Sequence, residues 1–246
     1  MTTGGITVNG EFVVFGDSKQ DIYNRVSLVN NKKELVIPDS PGRWSELNKT
    51  FRFTPTISDF ILEFQKKYLI EKHSIDSFEK DVNQEISFDN KIHHKYFNCF
   101  DGEEIAKFIR VRSIDLGSHP NDICILALSI EVIQEIDYYY RKISNEKTYI
   151  MAETKECKKE AKDIRKNKKM HFWMNSGVTK FSTIHSFKGW EIDTLFLVVQ
   201  KGVFESSYKE LIYTGFTRCM RNLILVNIGD KELSSFINQL SYVKKY

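Results

Sequence analysis

Two polar stretches in the last third of the sequence carry side chains that could bind a ligand, and one of them could bind phosphate groups. The first, Thr-Ile-His-Ser-Phe-Lys-Gly-Trp-Glu, occupies residues 183–191 between two apolar runs. An open α/β sheet places its ligand site in such a polar loop at the end of a buried strand. The second, residues 206–220, has helical character, and its spacing puts a group of polar side chains on one face: Thr214, Thr217, Arg218 and Arg221. Guanidinium groups fork onto phosphate oxygens. The alternatives are an ordinary strand connection for the first stretch and a solvated helix face for the second.

The surrounding pattern predicts the elements that position these stretches. Thr54 is a good N-cap and Pro55 suits the first helical position of a helix whose apolar stripe runs to Tyr68. Apolar runs predict strands at 12–15, 122–128, 149–152, 178–182, 192–199 and 223–228, and one or two more within 84–100. Further helices are predicted at 103–112, after Ser129 as its N-cap, at 206–220 and from about 231. This alternation indicates an α/β sheet with helices on both faces.

Composition limits the classes of protein that fit. The chain has 246 residues, 41% of them hydrophobic, and 36 basic against 33 acidic residues give a net charge of +3. Because basic and acidic residues are nearly equal in number, any contact with nucleic acid must come from basic residues that are clustered locally. The four cysteines form no Cys-x-x-Cys pair, which argues against a zinc site and a disulfide framework and fits a reducing cytoplasm. The first ten residues lack a signal-peptide pattern, and the run Leu195–Val199 is too short to span a bilayer. We therefore expect a soluble, cytoplasmic protein with no membrane partner.

A third polar stretch lies near the start of the chain, and the order of the three stretches along the sequence is informative. Gly-Asp-Ser-Lys-Gln-Asp-Ile-Tyr occupies residues 16–23. Together with 183–191 and with Leu-Ile-Tyr-Thr-Gly-Phe-Thr-Arg at 211–218, it resembles, in order, motifs III, V and VI of UvrD/Rep-type superfamily 1 DNA helicases. The resemblance implies a RecA-like parallel sheet with helices on both faces. By that reading, residues 46–246 form the second motor domain and residues 1–45 are a remnant of the first.

The resemblance also implies contacts with ATP. Arg218 matches the motif VI arginine that reaches the γ-phosphate, where a guanidinium stabilises charge developing in phosphoryl transfer. Leu-Asn-Lys-Thr-Phe-Arg at 47–52 looks like motif IV, in which Phe51 would stack on adenine and Arg52 would be a further γ-phosphate contact. Gln20 would sense the γ-phosphate, and Glu191 would bind the ribose or a water near the phosphate. The simpler interpretations are core packing for Phe51 and a solvated loop acid for Glu191.

A second set of residues is implied to contact single-stranded DNA. Thr183 and His185 match positions that touch the DNA backbone, Lys188 matches the Lys-Gly turn, and Tyr23 would lie toward the strand. The tryptophan that commonly follows this tyrosine in the family is absent, since Asn-Arg-Val occupies 24–26. The alternative for His185 is a hydrogen-bonded core histidine. The sequences of these motifs look like those of the UvrD/Rep subgroup, and the resemblance therefore implies movement 3′ to 5′ on DNA.

The half of a helicase motor that holds most of the nucleotide is not recognisable in this sequence. No Gly-x-x-x-x-Gly-Lys-Ser/Thr sequence occurs, and no Asp-Glu pair follows an apolar strand before Gly16. ATP and Mg²⁺ would therefore be bound mainly by a P-loop-containing half, in cis or in trans. We predict that the chain alone is inactive. A fragment, a mis-started reading frame and one subunit of a split motor are all compatible with this pattern.

Two other functions remain open at this stage. One is a non-catalytic module, derived from a helicase half, that binds nucleic acid or a protein. The other is an RNA-directed motor, which the subgroup pattern disfavours. A basic run at 155–169, with eight Lys/Arg against three Asp/Glu, is predicted to lie along the nucleic-acid path, although such runs are often only soluble surface.

Overall fold

A computed structural model describes most of the second half of the chain and separate pieces of the first. The described residues are 54–71, 73, 75, 92–151, 175–202 and 208–246, together with the backbone of 5–8, 11–14, 27–29 and 32–34. Several predicted functional residues lie outside these ranges: Gln20, Tyr23, Phe51, Arg52 and the basic run at 155–169.

The N-terminal pieces form two small antiparallel pairs. Strand β1 (Gly5–Val8) pairs with β2 (Glu11–Val14), and β3 (Ser27–Val29) pairs with β4 (Lys32–Glu34). Strand β2 overlaps the strand predicted at 12–15. Each pair is a two-stranded sheet of its own.

The remaining strands form one seven-stranded parallel sheet with the order β11-β5-β10-β9-β6-β8-β7. Its central strand, β9, is an apolar run buried along nearly all of its length, as expected for a parallel strand covered on both faces. The strands are β5 (Ile92–Phe97), β6 (Ile123–Ala127), β7 (Thr148–Met151), β8 (Thr179–Thr183), β9 (Ile192–Gln200), β10 (Cys219–Ile228) and β11 (Val243–Lys245).

Six described α-helices and a 3-10 helix (Pro120–Asp122) connect or flank these strands, and side-chain caps fix where several of the α-helices begin. The α-helices alone are numbered. They are α1 (Pro55–Tyr68), α2 (Gly102–Asp115), α3 (Ile130–Ser144), α4 (Ile184–Phe187), α5 (Lys209–Phe216) and α6 (Lys231–Asn238). Thr54 caps α1 as predicted, and Asp101 and Asp230 accept backbone N–H groups at the starts of α2 and α6. Ser129 precedes α3, but its hydroxyl donates to Glu131 and makes no cap bond. None of the described helices has the length and apolar character needed to cross a membrane.

The sheet separates two hydrophobic cores. Leu195, Leu197 and Val199 of β9 pack on one side with α1, α4, α5 and α6. Phe196 and Val198 point to the other side, where α2 and α3 cover the sheet. The predicted α/β architecture with helices on both faces is therefore confirmed.

Three parts of the sequence interpretation were wrong in detail. The helix predicted at 206–220 ends at Phe216, because residues from Cys219 onward pair with β9 and start strand β10. The loop predicted at 183–191 contains the short helix α4. The edge strand β11 was not predicted, since three residues ending in two lysines show no strand pattern and gain their structure by pairing with β5.

Candidate nucleotide and nucleic-acid surfaces

The segment 183–191 crosses the sheet from one end of its strands to the other. Ala127 of β6 pairs with Thr183 on one side and with Val198 on the other, so these residues lie at the same height. Ile192, the first residue of β9, precedes Val198 by six positions along that strand. At about 3.3 Å per residue, Thr183 and Ile192 are separated by roughly 20 Å along the strand direction. The two ends of the segment therefore belong to opposite edges of the sheet.

At the carboxyl edge, Thr183 has a structural role that the sequence did not reveal. Its side chain is buried and caps α4: Oγ1 accepts from the backbone N–H of Ser186 at 3.3 Å and donates to Ser186 Oγ at 3.2 Å. His185, two residues later, is partly exposed to solvent and is not the core histidine of the alternative interpretation. Of these two predicted DNA contacts, His185 is the one presented to solvent, and Thr183 holds the helix that presents it.

The protonation state of His185 decides whether its ring can contribute a positive charge or only a hydrogen bond to a nucleic acid. Partial burial of the ring, followed by the positive charge of Lys188, lowers the pKa of His185 below its usual value. The imidazole is therefore neutral at pH 7 and offers a hydrogen bond rather than a charge. Lys188 follows α4 directly as its C-terminal cap residue and is half-buried. The positive charge at this part of the surface thus comes from Lys188.

At the amino edge, Glu191 lies beside Arg218. The backbone N–H of Ile192 donates to the carbonyl of Arg218 at 2.9 Å. This bond places Glu191, which precedes Ile192, next to Arg218 at the point where β9 and β10 begin. Gly189 has φ +97° in the turn that leads there, a conformation that side chains other than glycine rarely adopt. The structure therefore brings together two of the residues that the resemblance assigned to the nucleotide.

Arg218 is not on an exposed helical stripe, and that prediction was wrong. Thr214, Thr217 and Arg218 are all buried, and of the four predicted members only Arg221 is exposed, on β10, where Nη1 lies 3.6 Å from the Asp193 carboxylate. The reason is that α5 ends at Phe216. The following residues turn into a strand, and their side chains no longer follow a helical period.

The guanidinium of Arg218 instead closes the end of α5. Nε donates to the carbonyl of Thr214 at 3.2 Å, and Nη2 donates to Thr217 Oγ1 at 3.0 Å. Thr217 Oγ1 in turn donates to the same Thr214 carbonyl at 2.9 Å. The carbonyls of the last helical turn lack intrahelical partners, and a cation near them is favourable. Arg218 thus holds the α5–β10 junction while lying at the edge shared with Glu191.

A buried lysine near the same edge was missed by sequence analysis. Lys180 of β8 is fully buried, and its Nζ donates to the backbone carbonyls of Asn121 at 2.6 Å and Val178 at 3.1 Å. Burial lowers its pKa. The available signal was a lysine within an otherwise buried strand pattern. Its bonds tie β8 to the turn before β6, so we assign it a structural role.

The structure can also be compared with known proteins. It is similar to the C-terminal domain of a possible DNA helicase from Lactobacillus plantarum, with a TM-score of 0.50 and 16% identity, over 80% of this chain and 98% of that one. The fold is the RecA-like α/β fold of helicase domains. The TM-scores of two further helicases are too low to support an inference. They are the Pyrococcus furiosus Hef helicase domain (0.32, 15% identity, 56% of this chain and 27% of that one) and an XPD helicase (0.36, 12%, 75% and 40%).

No protein-family model and no curated protein matches this sequence. The predicted RecA-like fold is confirmed by the Lactobacillus domain. The narrower resemblance to the UvrD/Rep type and the residue roles that it implies stay predictions.

Proposed function

We propose that this chain is the C-terminal motor domain of an ATP-dependent 3′-to-5′ DNA helicase or translocase. The observation that supports this most is the course of segment 183–191. It starts at the carboxyl edge of the sheet with Thr183 and His185, and it ends at the amino edge with Glu191 beside Arg218. A translocating motor has to connect a nucleic-acid contact to a nucleotide contact, and segment 183–191 would provide such a connection through one short piece of covalent chain.

At the amino edge, the proposed role of the chain is to supply positive charge to ATP held by a P-loop-containing half. Arg218 would reach the γ-phosphate, together with Arg52 and Gln20, while Glu191 would contact the ribose or a nearby water. ATP would bring the phosphoryl group, and Mg²⁺ would be held mainly by the other half. In the domain its guanidinium is buried and bonded to Thr214 and Thr217, so contact with a γ-phosphate would require it to leave those bonds.

At the carboxyl edge, the proposed partner is single-stranded DNA. His185 would donate a hydrogen bond to a backbone phosphate, and Lys188 would add charge. Thr183 would position α4 through its cap, and Tyr23 would approach the strand from the preceding segment. The neutral state of His185 gives this contact a pH dependence. Acidification through the lowered pKa would add a positive charge and strengthen DNA binding.

The isolated chain should not hydrolyse ATP, because its sequence contains no P-loop and no recognisable Mg²⁺-binding carboxylate pair. Steady-state phosphate release with saturating single-stranded DNA measures this directly. Turnover above about 1 per second, lost in Arg218→Ala but kept in the neighbouring Arg221→Ala, would contradict the prediction. Arg221 is the matched control because it is exposed and lies three residues away.

A second candidate function is a non-catalytic binding module, and one observation favours it. Both Thr183 and Arg218 make hydrogen bonds within the domain, so each has a structural use that needs neither DNA nor nucleotide. The two proposals differ in a measurable way. A motor domain raises the DNA-dependent ATPase rate of a P-loop half when the two are combined, whereas a binding module leaves that rate unchanged.

The basic run at 155–169 is proposed to contribute to DNA binding. Changing Lys158, Lys162 and Lys169 to Gln should flatten the log–log salt dependence of single-strand binding by up to about 2 units, at about 0.7 per lost phosphate contact. The matched control changes three exposed lysines of α1, α2 and α3: Lys66, Lys107 and Lys142. Equal affinity and slope for parent and test variant across a salt titration would show that the run is only solvated surface.

A further inference from the structure

A broad cavity of about 530 Å³ opens at the side of the sheet, between helix α6 and the strands β5 and β11. It lies at nearly the same height along the strands as Thr183 but is separated from that residue across the sheet. His94 is level with Ser182 through the paired strands β10, β9 and β6, and four strand spacings separate β5 from β8. At about 4.8 Å per spacing this is roughly 19 Å across the sheet. The residues that matter for its chemistry are His94, Tyr96, Lys231, Ser234, Ser235 and Lys245.

Strand and helix periods explain why these side chains meet. His94 and Tyr96 alternate with His93 and therefore share one face of β5. Lys245 pairs with His94 across the β5–β11 ladder. On α6, the spacing of three to four residues from Lys231 brings the serine pair onto the same side. Two ammonium groups, two hydroxyls, a phenol and an imidazole thus surround one cavity.

The buried member of this group has an unused hydrogen-bonding atom. His94 is 5% exposed, and its Nε2 is buried without a hydrogen-bond partner in the described part of the chain. Burial, followed by the charge of Lys245, lowers the pKa of His94 to about 4, so the imidazole is neutral at pH 7. An orphaned buried polar atom is costly. Because His94 is one of the residues that line a cavity rich in donors, this unused atom points to a ligand that accepts hydrogen bonds.

We propose that this cavity binds a phosphate group. Lys231 and Lys245 would supply charge, the hydroxyls of Ser234 and Ser235 would donate to its oxygens, and the Nε2–H tautomer of His94 would complete the shell. Ser234 Oγ already accepts from Asn227 Nδ2 at 2.9 Å, which leaves its own hydrogen to donate. Phosphate, with four acceptor oxygens and up to two negative charges, matches this set of donors.

The acidic groups near the cavity do not oppose an anion. None of the described residues that line it is an aspartate or a glutamate. The carboxylate of Asp230, the N-cap residue of α6, accepts from the Leu233 N–H. Burial, followed by the charges of Glu232 and Asp230, raises the pKa of Tyr68 on the α1 side. This proposal does not depend on the proposed motor function. The phosphate could be a free anion or part of a nucleic-acid backbone.

The experiment follows the His94 imidazole signals of the full 246-residue chain by NMR while inorganic phosphate, or separately a short single-stranded oligodeoxythymidine, is added. Binding should shift these signals and raise the pKa of His94 by at least about one unit, because a bound anion stabilises the imidazolium. Lys245→Gln should weaken binding roughly tenfold through loss of one charge-assisted contact. Lys244→Gln is the matched control, since it removes the same charge from the adjacent residue, which pairs with His93 rather than His94 and does not line the cavity.

The outcomes separate the sources of the phosphate. If the His94 signals respond at a lower concentration of inorganic phosphate than of oligonucleotide phosphate, the ligand is a free anion. If they respond at a lower concentration of oligonucleotide phosphate, the ligand is a backbone phosphate. An unchanged His94 pKa with both probes would overturn the proposal. An equal loss of affinity in Lys244→Gln would also overturn it, because that result indicates diffuse attraction rather than a site. Both lysines are exposed, so neither change should unfold the chain.

Discussion

Replacing Arg218 by alanine is expected to lower the kcat of the assembled motor by roughly 10³-fold, with a smaller effect on nucleotide affinity. The reason is that the guanidinium would act on charge that develops at the γ-phosphate in the transition state rather than on bound ATP. Arg52→Ala should have an effect of the same size. The measurement is single-stranded-DNA-stimulated ATP hydrolysis by the chain combined with its P-loop half. Near-normal kcat in Arg218→Ala would leave this arginine with its structural role alone.

The structural role of Arg218 requires a control for that experiment. The variant loses the bonds to Thr214 and Thr217, and hydrogen bonds to charged groups typically contribute about 1.5–3 kcal/mol. Urea unfolding of Arg218→Ala and Arg218→Lys should therefore be compared with the parent at the assay temperature. Arg218→Lys keeps the charge and loses the planar fork. If folded Arg218→Lys also loses most of its kcat, the effect arises from the geometry of the guanidinium rather than from unfolding.

Truncating Phe64 is expected to cause the largest loss of stability, about 3–5 kcal/mol in Phe64→Ala. Its ring is fully buried, with its centroid 4.9 Å from that of Phe216 on α5 and 5.9 Å from that of Phe236 on α6. Aromatic pairs at such distances contribute beyond their buried area. The ring therefore joins α1 to both helices, and its loss leaves a cavity among them.

Urea unfolding followed by circular dichroism measures this loss. Ile70→Ala, at a position just beyond α1 that is 52% exposed, is the control and should change the free energy of unfolding by less than about 0.5 kcal/mol. Equal, small effects of the two substitutions would show that α1 is not part of the cooperative core.

The elements that sequence analysis predicted best are those specified by local pattern. Helix α1 has its cap at Thr54, Pro55 in the first turn and an apolar stripe at helical spacing, so nothing distant was needed to place it. The central strand β9 is recognisable as a continuous apolar run. The end of α5 was misplaced because Thr-Arg-Cys-Met-Arg-Asn fits either a helix or a strand. Pairing of Cys219 with Ile192, far away in sequence, decides for the strand.

In the candidate sites, too, local pattern identified individual residues, whereas their arrangement depends on pairing between distant parts of the chain. The sequence identified Thr183, His185, Glu191 and Arg218 as chemically capable residues. It could not show that 183–191 runs between opposite edges, because that follows from the register of β8, β6 and β9. The burial of Arg218 depends likewise on where α5 ends. The His94 cavity gave no sequence signal, since it forms only when Lys245 pairs with β5 near the end of the chain.

The central claim is that the two ends of segment 183–191 serve different ligands, and backbone-amide NMR of the 246-residue chain tests it most directly. Addition of a short single-stranded oligodeoxythymidine should shift the resonances of Thr183, His185 and Lys188. The resonances of Glu191 and Arg218 should stay in place, because this edge lies roughly 20 Å away along the strands. Shifts centred on Glu191 and Arg218, or no shift at Thr183 and His185 when DNA is bound elsewhere, would contradict the account.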